Sequence, residues 1–151
     1  MERIIAPIRD GELTVVRLLR YYCAVRDRNG DGMNLSRLVM FGQSLTLLPA
    51  GSIALASVFQ LAEAVLKRKL VTESCSSRCL SCDERAVIRL LSSPGKASFC
   101  NCDTEAPHGL HGALHCAVLS VRQLCGEVVT ATSHATRVDG DKSPFATPAL
   151  A

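Results

Sequence analysis

Cysteine and histidine residues concentrate between positions 100 and 116, in an order that suits a metal ion. The residues concerned are Cys100, Cys102, His108, His111 and His115. Residues four positions apart share one face of a helix, so His111 and His115 can hold one ion through their imidazole nitrogens. His108 joins that face if the helix starts near Pro107, and the two cysteines supply thiolates from the loop before it. The pattern therefore allows a tetrahedral Zn²⁺ site, although C-x-C is less usual than C-x2-C in such sites. The alternative is that the cysteines are small core residues and the histidines line a polar surface.

A second group, Cys75-x3-Cys79-x2-Cys82, places three thiols within eight residues. Three thiolates at this spacing can bind iron or zinc. The spacing resembles the cluster motif of the radical S-adenosylmethionine enzymes. The resemblance covers these eight residues alone, because the flanks lack the strand and the glycine-rich context of that family.

A third segment, residues 27–32, reads Asp-Arg-Asn-Gly-Asp-Gly. It resembles the first half of an EF-hand calcium loop, with oxygen ligands at positions 1, 3 and 5 and glycine at position 6. Position 12 is Leu38, where that loop has a bidentate glutamate. A polar turn between helices is therefore the better interpretation of this segment.

Hydrophobic periodicity predicts about five helices that would position these groups. The predicted spans are 12–26, 35–48, 52–69, a short helix after Ser81, and 112–128. Each has an apolar stripe at helical spacing. Segment 97–100 is too short and alternates too weakly to predict a strand. In the first helix the stripe is Val15, Val16, Leu19, Tyr22 and Cys23. In the second it is Leu38, Phe41, Leu45 and Leu48.

Local signals predict where some of these helices begin and end. Ser81 and Glu84 match a capping box, in which the two side chains satisfy each other's backbone N–H groups. Ser52 is the predicted cap of the third helix, after a turn at Pro49. Residues 67–69 are all basic and suit the carboxyl end of that helix, where cations offset the helix dipole.

Composition limits the classes of function. The net charge is +3 over 151 residues, which is too small to indicate a nucleic-acid partner. A DNA-reading helix pair around Pro49 is not favoured, because basic residues occur only at the end of the second helix. Residues 38–62 carry no charge over a membrane-spanning length. Polar and turn-forming residues interrupt this stretch, so we expect no membrane span.

The sequence predicts an all-α protein, a small irregular bundle of about five helices over residues 1–129 with a loose tail over 130–151. Eight cysteines without a signal-peptide pattern lead us to expect reduced thiols in the cytoplasm. No residue set names a reaction class, so an enzyme is less expected than an interaction or regulatory protein. Such a protein would bind a protein partner or associate with itself. The alternative is a module responsive to zinc, iron or thiol redox state that uses the Cys/His-rich segment 75–116.

Overall fold

The computed structural model describes residues 10–29, 34–92 and 108–125. These residues form five helices and no strand: α1 (Asp10–Asn29), α2 (Leu35–Ser44), α3 (Pro49–Leu66), α4 (Cys82–Ser92) and α5 (His108–Leu124). The predicted all-α bundle is confirmed. The predicted tail, 130–151, lies outside the described residues.

Helix α1 buries one face over most of its length. All five residues of its predicted apolar stripe are buried, and Leu18 and Val25 extend the stripe. Tyr22 meets Phe59 of α3 edge to face, with ring centroids 5.3 Å apart. The predicted face is therefore the one that packs against the rest of the core.

Helix α2 is shorter than predicted because it ends in a tight backbone motif. The N–H of Leu47 donates to the carbonyl of Gly42 at 2.9 Å, and the N–H of Thr46 donates to Gln43 at 3.0 Å. This pair of bonds is a Schellman motif, which caps the carboxyl end of a helix. Beyond it the helical register no longer holds, so Leu48 is 69% exposed and its predicted burial is wrong.

Helix α3 begins at Pro49 and not after Ser52 as predicted. Proline suits the first helical position because its missing N–H would have had no partner there. The N-cap is Leu48, which makes no side-chain cap hydrogen bond. Ser52 is instead fully buried within the helix.

Helix α3 is the centre of the bundle and packs against α1, α2 and α5. A Cβ atom on Gly51 would lie 2.8 Å from the Cys125 sulfur, so the start of α3 meets the end of α5. A Cβ atom on Gly42 would lie 1.9 Å from the Ser52 hydroxyl, so α2 also reaches this end. The carboxyl ends of both neighbours therefore meet the amino end of α3, and the two glycines permit the close approach.

Helices α4 and α5 close the core with the faces that the sequence predicts. Val87, Leu90 and Leu91 of α4 are buried. On the α5 face, Leu114, Val118, Val121 and Cys125 are buried, and Ala117 is partly buried against them. Arg122 of α5 donates to the carbonyls of Leu91 and Ser92, which satisfies acceptors at the end of α4.

Candidate functional site

The residues of the predicted zinc site fall partly outside the structure. Cys100 and Cys102 lie outside the described residues. Helix α5 begins at His108, which meets the condition that brings this histidine into register with His111 and His115. Only the backbone of His108 is described, His111 is half-buried, and His115 is exposed. The zinc site therefore stays a prediction.

Within residues 10–29, 34–92 and 108–125, no three histidine, cysteine or acidic side chains form a group that could hold a metal ion. This includes Cys75, Cys79 and Cys82, which are all exposed. Their loop is instead organised by ion pairs between arginines and carboxylates. We call residues 73–82 the cysteine loop.

The centre of this organisation is a buried ion pair between Arg20 of α1 and Glu84 of α4. The Arg20 Nε lies 2.6 Å from the Glu84 Oε1, and the two side chains are 5% and 0% exposed. The apolar stripe predicted for α1 does not include Arg20, although its side chain is buried. Arg20 is four residues after Val16, so its position on the buried face was a signal in the helical register.

Arg20 and Glu84 both bind the backbone of the cysteine loop. Arg20 donates to the carbonyls of Ser77 and Cys79, each at 2.9 Å. Glu84 accepts the N–H groups of Ser81 at 2.7 Å and Glu73 at 3.3 Å. The hydrogen bond with Glu84 raises the pKa of Arg20, so this side chain remains a cation.

The predicted capping box is confirmed and is part of the same network. The Glu84 N–H donates to the Ser81 hydroxyl at 3.1 Å, while the Glu84 carboxylate accepts the Ser81 N–H. One carboxylate therefore caps α4, neutralises Arg20 and holds the loop. Glu84 therefore does more than offset the helix dipole at the start of α4.

A second ion pair anchors the segment that enters the cysteine loop. Arg68 donates to both carboxylate oxygens of Asp83, at 2.7 and 2.8 Å, and the Val71 N–H donates to the same carboxylate at 2.8 Å. The Arg68 hydrogen bond lowers the pKa of Asp83, with the Val71 N–H acting in the same direction. Helix α3 ends at Leu66, so the basic residues 67–69 follow the helix and do not form its last turn as predicted. One of them, Arg68, joins the end of α3 to α4.

A third carboxylate, Glu63, ties the end of α3 to α1. It pairs with Arg26 and accepts the Tyr22 hydroxyl at 2.9 Å and the Leu70 N–H at 3.0 Å. Burial raises the pKa of Tyr22, and the Glu63 hydrogen bond adds to that shift. The segment between α3 and α4 is thus fixed at both of its ends.

The described cysteines divide into two classes. Cys75, Cys79, Cys82 and Cys116 are exposed, whereas Cys23 and Cys125 are buried. Burial raises the pKa of Cys23 to about 11 and also raises the pKa of Cys125. Because the thiolate is the reactive form, the buried pair suits packing and the exposed thiols suit chemistry.

Some of the exposed apolar side chains occur near the start of α3 and the end of α5. Leu48, Ile53 and Leu124 are 69%, 43% and 46% exposed. All three lie within three residues along the sequence of Gly51 or Cys125, which mark where the start of α3 meets the end of α5. We call these three residues the apolar end.

The surroundings of the apolar end contain few charges. Residues 38–62 have none, and Arg122 is the one Lys, Arg, Asp or Glu residue in α5. Among the helices that the structure describes, α3 alone is long and apolar enough to cross a membrane by length and composition, with 44% of it buried inside the protein. That burial is also what the core helix of a folded bundle shows.

The described residues form a small all-α bundle. Ion pairs fix its cysteine loop, and the apolar end carries no charged residue. Comparison with protein-family models, with curated proteins and with solved structures found no match for this chain.

Proposed function

We propose that this protein is a small helical interaction protein that associates with a second copy of itself through the apolar end. The observation that carries the proposal is Leu48, which is 69% exposed at the N-cap of α3 and makes no cap bond there. Serine or aspartate at an N-cap stabilises a helix by about 1 kcal/mol over an apolar residue. Leucine at this position thus contributes neither a cap nor core packing, and a contact surface would give it a role.

Charge supports a second copy as the occupant. A two-fold contact places the same patch of both copies face to face, so any charged residue near the axis meets its own like charge. Residues 38–62 contain no charged residue, so this stretch would not repel its own copy across a two-fold contact. An interfacial membrane helix would instead carry lysine and arginine on its polar face, which this stretch lacks.

The test is sedimentation velocity over a wide range of protein concentration. The mass should rise from the monomer value of 16.2 kDa towards twice that value as the concentration increases. Leu48→Asp is the most informative variant, because it supplies an N-cap and also places a charge in the contact. We expect its helix to be more stable, by about 1 kcal/mol, while its self-association is lost.

Ile53→Lys tests the same surface from within α3, and Val71→Lys is the matched control. Val71 is 64% exposed but lies beside the cysteine loop, away from the apolar end. Self-association should be weakened by Ile53→Lys and retained by Val71→Lys. A chain that stays monomeric at all concentrations, or equal effects of the two lysines, would refute the proposal.

A second candidate function is zinc binding by Cys100, Cys102, His108, His111 and His115. The observation that favours it is the start of α5 at His108, which puts three histidines in register on one helix. Metal ligands must lose protons to bind, so chelator or acid should destabilise such a protein. Elemental analysis after reducing purification should find about one zinc per chain, which the double variant His111→Ala/His115→Ala should lose.

A further inference from the structure

The cysteine loop combines three exposed thiols with an anchor that does not use them. The hydrogen bonds described for the loop join backbone groups, serine hydroxyls and the side chains of Arg20, Glu84 and Arg85. The sulfur atoms of Cys75, Cys79 and Cys82 take part in none of these bonds. Adding a group to a sulfur atom therefore removes no donor or acceptor from these hydrogen bonds.

The charge around the loop is positive. Residues 67–85 contain five basic and three acidic residues, and Arg20 adds a further cation beneath the loop. Two of the acids, Asp83 and Glu84, are already paired with arginines. Arg78 and Arg85 are exposed, and Arg85 donates to the Leu80 carbonyl at 3.1 Å, which holds its guanidinium at the loop. Glu73 is exposed, and its negative charge offsets part of the positive charge around the loop.

We propose that the cysteine loop is a thiol-modification site for anionic low-molecular-weight disulfides, of which oxidised glutathione is the probe. The cations attract the anionic reagent, and exposure gives it access to the three sulfurs. Cys116 provides an internal comparison, because it is exposed on α5 in surroundings with few charges. Cys23 and Cys125 are excluded by burial.

The reaction is thiol–disulfide exchange. A loop cysteine releases its proton to solvent, and its thiolate attacks one sulfur of oxidised glutathione. The new protein–glutathione S–S bond forms as the original S–S bond breaks. The departing glutathione thiolate takes up a proton, so the reagent itself is the oxidant and no other is required.

The experiment exposes the reduced, full-length protein to oxidised glutathione and follows each cysteine by peptide mass spectrometry. We expect adducts on the loop cysteines to form several-fold faster than on Cys116, with Cys23 and Cys125 unmodified. Salt should reduce this preference, because it screens exposed charges. Hydroxyethyl disulfide, which is uncharged, should show a smaller preference for the loop.

The double variant Arg78→Gln/Arg85→Gln tests the role of charge, and Arg17→Gln is the matched control on exposed α1 surface. The double variant should lose the preference for glutathione while keeping its reaction with the uncharged disulfide. Circular dichroism should show that modified protein remains helical. Equal rates at Cys116 and the loop, or a preference that neither salt nor the double variant changes, would overturn the proposal.

Discussion

Replacing Arg20 by methionine should destabilise the protein more than any surface substitution, because it leaves the buried Glu84 carboxylate without its cation. Glu84 is 0% exposed, and among the residues that the structure describes it would keep only the N–H donors of Ser81 and Glu73. Removing one partner of a buried ion pair costs about 3–5 kcal/mol. Arg20 also makes two bonds to loop carbonyls, which places the expected loss towards the upper part of that range.

A loss of this size is a large share of the total stability, because the free energy of unfolding of a domain is about 5–15 kcal/mol. The assay is urea denaturation followed by far-UV circular dichroism, with the free energy of unfolding compared between variants. Arg17→Met is the control, because Arg17 lies on the same helix and is exposed. It should change the stability by less than about 0.5 kcal/mol.

A double-mutant cycle separates the ion pair from the other contacts of Arg20. Glu84→Met alone leaves Arg20 buried with its two carbonyl acceptors, and the double variant removes both charges. The double variant should therefore be more stable than the sum of the two single losses predicts, by about 1–3 kcal/mol. Additive losses, or an Arg20→Met cost below about 1 kcal/mol, would refute the assignment of this pair as the anchor of the loop.

Three further predictions concern stability. Thr46→Gly should stabilise the protein by about 0.5–1 kcal/mol in urea denaturation, because a β-branched residue is strained at φ 67° in the Schellman turn; no gain would contradict this turn. Gly42→Ala should lower the free energy of unfolding by about 1–3 kcal/mol, because the new Cβ would collide with the Ser52 hydroxyl. Adding Ser52→Ala should restore part of this loss, because it removes that hydroxyl, for which the described residues provide no hydrogen-bond partner. The Asp83–Arg68 pair should make the free energy of unfolding depend on pH. Because the pKa of Asp83 is lowered in the folded state, the pair stabilises the protein fully above the ordinary pKa of 3.8. This stabilisation is lost as the pH falls through the folded-state pKa. Asp83→Asn should therefore be less stable than the natural protein near neutral pH and should approach it in strong acid, and a pH-independent difference would contradict the pairing.

The sequence predicted the parts of the fold that depend on local periodicity. The stripes of α1, α4 and α5 face the core as expected, because apolar burial at helical spacing decides which face turns inward. The capping box at Ser81 was readable because its two residues are three positions apart. Leu48 was misplaced because periodicity does not show where a backbone motif will end a helix.

The ion pairs that fix the cysteine loop could not be predicted from local periodicity. Arg20 and Glu84 are 64 residues apart in the sequence, and only the tertiary fold brings them together. A basic residue on an apolar stripe was the available hint, but its partner is not encoded locally. For the predicted zinc residues, register on α5 was readable from the sequence, whereas the approach of Cys100 and Cys102 depends on residues outside the described ranges.

The long separation of Arg20 from Glu84 has a consequence for synthesis on the ribosome. Glu84 follows Arg20 by 64 residues, which at typical elongation rates is a delay of roughly 3–13 seconds. During this interval α1, α2 and α3 are synthesised, but the Arg20 guanidinium, which is buried in the folded protein, does not yet have the Glu84 carboxylate to neutralise it. We expect α1 to complete its docking only after α4 has been made, so the nascent chain acquires its cysteine loop and its final helix packing in the same late step.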